Sequence, residues 1–270
     1  MAVTATVFAA PGAVTGYAAI AVAAVMLALW LVSVRIRDVS IVDPAWGLLF
    51  VVVALIAAIA GSGDAGRRWL LFALTAAWGL RLGGYLIVRK RHDPGEDRRY
   101  AEMRERRGDA FVPWSLVAIF GLQGLLVLVV SLPIQVAAER AAGLSAAAIP
   151  GVVVFAVGLF FEAVGDEQMR RFKADPGSRG QVMDRGLWRY TRHPNYFGDF
   201  CVWWGLWLIA LVAGGTWWTL IGPAVMSTLL IRVSGKALLE KEMAQRRPGY
   251  ADYVRRTSGF IPLPPRKPGE

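Results

Sequence analysis

The sequence predicts an all-α fold: a polytopic membrane helical bundle of about seven transmembrane helices. Three observations predict it. The 270 residues are 56% hydrophobic and their mean hydropathy is +0.45, richer in apolar side chains than a soluble domain. Those side chains fall in long runs near the ~20 residues that a bilayer core requires. The Lys and Arg residues collect in alternate loops, as the positive-inside rule demands of a spanning chain.

Spans are expected at about 14–34, 44–61, 69–88, 114–137, 147–164, 196–213 and 216–233. With the N-terminus outside, 26 of the 30 Lys and Arg lie in inner loops or the tail. Only Arg67, Arg68 and Arg140 remain outside, and Arg81 falls within the third span. This orientation, N-terminus out and C-terminus cytoplasmic, fits the charge rule, whereas six or eight spans spoil the count.

The connections follow in order. Residues 35–47, RIRDVSIVDPAWG, part the first two spans, and Asp43-Pro44 reads as a helix start. Asp38 and Asp43 are either plain caps or groups turned toward a cavity. Residues 89–112 are densely charged. They read as a solvated amphipathic segment on the membrane surface or as a wall for a polyanion, with Arg98, Arg99 and Tyr100 near a phosphate or adenine. Gly214 and Gly215 alone turn the last two spans into a hairpin, and the tail ends in IPLPPRKPG coil. One domain over 1–270 is expected.

Composition also excludes. A single cysteine, Cys201, rules out an internal disulfide and a cysteine metal cluster. Two histidines, His92 and His193, argue against a histidine-rich metal site. The net charge of +10 points to anionic lipid or an anionic cofactor rather than to nucleic acid. Without a charged leader region, no cleavable signal peptide is expected. No Gly-x-Gly-x-x-Gly follows a strand and no Walker sequence occurs.

The informative stretch is 185–207, RGLWRYTRHPNYFGDFCVWWGLW. Pro194 suits a first helical turn, which makes His193 the N-cap. Free N–H groups and the helix dipole attract anions there, and Arg185, Arg189 and Arg192 stand just upstream. Asn195 and Asp199 share a face four residues apart. Ionisable residues at the edges of the spans, among them Asp43, Arg81, Glu162, Asp166, Asp199, Arg232 and Lys236, gather toward the inner ends. Such charges are expensive in lipid and favour a shared hydrated pocket. The plainer alternative is a set of internal ion pairs.

RYTRHPNYFGD, the number of spans, and a basic C-terminal helix followed by Tyr250, Tyr253 and IPLPP resemble the steroid 5α-reductase superfamily, nearest its bacterial, uncharacterised membrane branch. The resemblance covers about 35–265. It implies an inner-membrane oxidoreductase that reduces a conjugated carbon–carbon double bond of a lipid or steroid-like substrate with NADPH. By position, it implies cofactor contacts from Asp166, Arg192, His193, Asn195, Tyr196, Asp199 and Arg232. Lys236 and Glu240 stand where some members carry a His and a Tyr; Lys236 is kept as a cofactor contact, and Arg98 and Arg99 of the charged loop are expected to take phosphate. Residues 113–270 would then hold the cofactor and 1–112 the substrate. The steroid enzymes grip their ketone with a Gln-Glu pair in helix 2 and a Tyr in helix 3. This chain offers Asp43 and Trp46 in the second span, and Arg81 and Tyr85 in the third. Asp43, Arg81 and Tyr85 are therefore the candidates for catalysis. Isoprenylcysteine and phospholipid methyltransferases share Arg-His-Pro-x-Tyr at the same kind of helix start, which keeps an S-adenosylmethionine-dependent reaction open as the alternative. A third reading is a lipid-binding protein without enzymatic activity.

Overall fold

The computed structural model describes residues 12–92, 95–233 and 249–266. Lys236 and Glu240 lie outside the described residues. Among the described residues the chain is helical, without a strand. Five stretches of the described residues are long and apolar enough to cross a membrane: Ala13–Ile36, Val39–Ala60, Ala65–His92, Arg98–Val130 and Ala146–Ala174. The expected spans at 196–213 and 216–233 are not among them. The first of these opens on Asn195, Tyr196 and Asp199, which shortens its apolar run. The second runs through a 3-10 turn at Trp217–Leu220, a helix at Ile221–Thr228 and a π turn at Leu229–Val233, where the described residues end.

The chain clusters into two compact units, Met1–Ala148 with Ile209–Gly222, and Ile149–Leu208 with Pro223–Glu270. In the first unit, α1 (Ala13–Ile36) is apolar on all sides, with Ile20 and Leu31 exposed, as suits a helix facing lipid. It stops where Arg37 turns left-handed at φ 55° and its N–H meets Ser33 O. Helices α2 (Val42–Ala60) and α3 (Ala65–His92) form a tight pair. Glycines permit the approach: a Cβ on Gly79 would lie 2.6 Å from Gly47 O. Phe50 and Trp78 are fully buried beside this contact, edge to face at 5.5 Å.

At the turn between α2 and α3, Arg67 is 0% exposed. Its guanidinium binds the carbonyls of Arg140, Ala142 and Gly143, and Asp64 Oδ1 accepts from Arg67 N and Leu144 N. One buried side chain thus satisfies a loop whose backbone has few other partners.

Helix α3 runs to His92, four residues beyond its expected end, with Arg89, Lys90 and Arg91 in the last turn. Cations there are favoured by the negative end of the helix dipole. After the cap at Asp97 come α4 (Arg98–Arg107), α5 (Phe111–Ser115), a π turn at Leu116–Gly121 and α6 (Leu122–Val130). Pro133 lies in the first turn of α7 (Leu132–Ala137), where its missing N–H is harmless. The expected span at 114–137 is therefore a helix broken near Ser131.

The second unit holds α8 (Ile149–Ala174), α9 (Pro194–Leu211, to Leu208), α10 (Ile221–Thr228, from Pro223) and α11 (Tyr250–Arg256). Helices α8 and α9 touch through glycines seven residues apart. A Cβ on Gly158 would lie 2.5 Å from Gly198 O, one on Gly198 2.5 Å from Glu162 N, and one on Gly205 2.6 Å from Phe155 N. Small residues at such a spacing let two apolar helices approach backbone to backbone.

Candidate functional site

The glycine seam of the second unit decides where its polar residues stand. Gly165 lies against the ring of Pro194, at 3.2 Å from an added Cβ, so the start of α9 is pressed onto α8. His193 O accepts from Phe197 N at 3.0 Å, the first turn of α9, which puts His193 at the expected cap position. Asn195 Nδ2 then donates to Asp166 Oδ1 across the seam at 3.2 Å. Glu162, Asp166 and Asp199 are 3, 6 and 8% exposed. The His193 and Tyr196 rings stack with centroids 5.4 Å apart and planes 5° from parallel.

Arg192 is 9% exposed. Its Nη1 donates to Val254 O and Thr257 O, both at 2.9 Å, and its backbone N–H to Ser258 O. Around it the tail is laced to the 188–193 stretch. Tyr253 Oη donates to Trp188 O at 2.6 Å, Thr191 Oγ1 to Phe260 O at 2.8 Å, and Leu263 N to Tyr190 O at 3.0 Å. Burial, with Tyr250 close by, holds the Tyr253 phenol above its ordinary pKa, so it stays a donor. A cavity of about 250 Å³ opens beside this lacing, lined by Arg192, Arg255, Arg256 and Arg266 together with residues 257–259. Arg256 pairs with Asp184 at 2.6 Å and Arg255 with Asp252. Arg232 is exposed in its π turn, and among the described residues it makes no ion pair with this cluster.

The first unit carries a separate polar network at one end of α2, α3 and α4. Asp43 Oδ1 accepts from Tyr100 Oη at 2.8 Å, and Oδ2 from Arg99 Nη2 at 3.2 Å. Arg99 also pairs with Asp97, and Gln123 Nε2 reaches the Tyr100 oxygen at 3.4 Å. Two candidates that the sequence placed in different roles, Asp43 and Arg99, thus meet. Tyr100, which the sequence set near a phosphate or adenine, donates to Asp43. Arg98 is largely exposed and pairs with Glu102 at 2.8 Å. Arg81 and Tyr85 share a face of α3 one turn apart, both half-buried.

Beside this lies a second knot. Lys90 Nζ stands 2.7 Å from Asp38 Oδ2 and 2.6 Å from Ser40 Oγ, while Asp38 Oδ1 caps Ser40 N at 3.0 Å. Glu96 accepts from Val39 N and from two nitrogens of Arg104. Burial alone would raise the Asp38 carboxyl, but the bonds from Lys90 and Ser40 outweigh it and its pKa lies below the ordinary value. Asp97 is lowered in the same way by Arg99. A carboxylate lowered in the folded state stabilises fully above its unfolded pKa of about 3.9 and ceases to do so as pH falls through the folded value. Denaturant titrations from pH 6 to 3 are expected to show flat stability above about pH 5 and a decline below about pH 4, with a shallower decline in Asp38→Asn.

Residues 29–257 match a family described as a protein of unknown function (DUF1295). The chain belongs to the DUF1295 family. An uncharacterised protein of Schizosaccharomyces pombe is 25% identical to this DUF1295 chain over 261 residues, covering 87% of it and 75% of the yeast protein. The probable O-methyltransferase ustE of Ustilaginoidea virens is 38% identical over 65 residues. That stretch is 24% of this DUF1295 chain and spans only 22% of the ustE length. No solved structure matches.

What sequence reasoning missed has an identifiable source. The glycines at 151, 158 and 165 and at 198 and 205 repeat every seven residues, a signal readable in the sequence as a helix seam. The tail arginines at 255, 256 and 266 carry no local motif, and only the fold gathers them around a cavity.

Proposed function

We propose that the protein is a membrane enzyme that reduces a conjugated carbon–carbon double bond of a lipophilic substrate, using NADPH. One observation carries the reading: a buried polar cluster at the start of α9 shares Arg192 with a hollow lined by four arginines. The donor set suits a phosphate-bearing nucleotide. Guanidinium groups match phosphate oxygens, and Asn195, with Asp166 behind it, offers directed hydrogen bonds of the kind an amide or ribose takes. The residues proposed to hold the cofactor are Asp166, Arg192, His193, Asn195, Tyr196 and Asp199, with Arg255, Arg256 and Arg266 for phosphate. Arg232, from the family resemblance, Arg98 and Arg99, from the charge of their loop, and Lys236 remain proposed cofactor contacts. When bound, NADPH supplies a hydride, which adds at the β-carbon of the alkene.

The chain's own share is polarisation and proton supply. In the first unit, Asp43 holds the Tyr100 hydroxyl at 2.8 Å, with Arg99 alongside. When substrate binds, the Tyr100 hydroxyl is proposed to turn from Asp43 to a conjugated carbonyl and donate its one hydrogen there, stabilising the enolate as it forms, and a proton from water then adds at the α-carbon to complete the reduction. Arg81 and Tyr85 are proposed as its neighbours at the substrate. The proposed topology keeps seven spans, with the C-terminus cytoplasmic and the cofactor residues on that side.

A second reading has its own support. The similarity to a probable O-methyltransferase favours a methyl transfer, with S-adenosylmethionine then proposed at the same α9 start. S-adenosylmethionine carries no phosphate, so the arginine hollow favours NADPH. Thermal unfolding separates the two, since only a bound ligand stabilises. NADPH at 100 times its Kd is expected to add about 2.7 kcal/mol to wild type, and Asn195→Ala or Asp199→Ala to lose most of that gain. Stabilisation by S-adenosylmethionine alone would establish the methyltransferase reading instead.

A further inference from the structure

A second cavity lies in the first unit, and none of its lining residues is assigned a role above. It measures about 360 Å³ and is lined by Met103, Arg106, Arg107 and Trp114. We propose that it holds the headgroup of one anionic phospholipid, with the phosphate on Arg106 and Arg107 and the glycerol end against Met103 and Trp114.

Three observations carry this. First, the arginines of α4 divide into two sets. Arg98, Arg99 and Arg104 are paired with Glu102, Asp97 and Glu96. Among the described residues Arg106 and Arg107 pair with no carboxylate, and neither Glu105 nor Asp109 forms an ion pair with them. The two guanidinium groups left over are the two that line the cavity. Second, the Arg107 guanidinium lies over the Trp114 ring at 3.8 Å. That contact fixes a flexible side chain beside the hollow and leaves its N–H edge free to meet an anion. Third, apolar side chains lie beside the charges. Met103 is 38% exposed, and Val117, three residues beyond Trp114, is 72% exposed.

Position supplies the occupant. Arg98–Val130 is one of the stretches apolar enough to cross a membrane, and the cavity sits at its charged end. A tryptophan and paired arginines at such a boundary face headgroups on one side and acyl chains on the other. A ligand that is anionic at one end and apolar at the other meets both sets of side chains. A free phosphate would meet only the arginines.

Native mass spectrometry of the full chain in detergent, titrated with phosphatidylglycerol or phosphatidylcholine of the same acyl length, tests this. Wild type is expected to retain phosphatidylglycerol in preference. Each cation near an anionic surface contributes a factor of about five, so R106Q/R107Q is expected to lower retention roughly 25-fold. R179Q, a change at an exposed arginine that lines neither cavity, is expected to leave it unchanged. R107K, which keeps the charge and loses the planar stack, is expected to fall between. Equal loss in R179Q, equal retention of the two lipids, or displacement of bound lipid by millimolar inorganic phosphate would each overturn the proposal. Unchanged thermal unfolding of the glutamine variants in lipid-free detergent shows that the loss is not one of folding.

Discussion

Gly198→Val is expected to unfold the second unit. The added Cβ would sit 2.5 Å from both Glu162 N and Gly158 O, and 2.8 Å from Glu162 Cβ. The first two are backbone atoms of a packed helix, which cannot swing aside as a flexible side chain would. Overpacking of this kind costs about 3 kcal/mol, a large share of the total stability of an ordinary domain. Helix propensity acts the other way, since replacing a helical glycine by alanine gains about 1 kcal/mol. The clash is the larger effect. Gly84 gives the comparison, because nothing lies within 4 Å of a Cβ there. Gly84→Ala is therefore expected to raise the midpoint of denaturant unfolding in mild detergent, and Gly198→Val to abolish the transition or shift it far down. If Gly198→Val unfolds like wild type, α8 and α9 do not meet along this seam.

Tyr100→Phe is expected to cut turnover of a lipophilic enone by about 100-fold or more, the range of a lost general acid. The substitution keeps the ring that α4 buries and removes one hydroxyl. Asp43→Asn is expected to do comparable harm by removing the charge that orients that hydroxyl and pairs with Arg99. Both changes act on the chemistry, so kcat falls while NADPH affinity is retained. A merely structural pair would lower thermal stability and leave kcat per folded molecule unchanged. Following NADPH oxidation alongside thermal unfolding distinguishes these outcomes.

Helix starts and stops were the most legible part of the fold. Pro194 opens α9 as its fixed φ requires, and Gly214 and Gly215 turn the chain after it at φ 74° and 64°. The long apolar runs became helices because lipid-facing backbone has no other way to satisfy its polar groups. The late span at 196–213 was harder to read, because Asn195, Tyr196 and Asp199 at its start shorten the apolar run. The candidate site was legible only where its partners are near in sequence, as with His193, Asn195 and Tyr196. Asp43 and Tyr100 lie 57 residues apart, and nothing local to either announces the other. Arg192 shows the same limit. Its charge is plain in the sequence, but the carbonyls of Val254 and Thr257 that it binds belong to a tail some 60 residues on.

The central claim is that the second unit takes a phosphate-bearing dinucleotide at the start of α9. Equilibrium titration of the purified full chain, followed by the fluorescence of the reduced nicotinamide, tests it most directly. Saturable binding of NADPH in the micromolar range is predicted, with NADH at least tenfold weaker for want of the 2′-phosphate that the arginines favour. A folded protein that binds neither nucleotide, or that binds S-adenosylmethionine in their place, would contradict it.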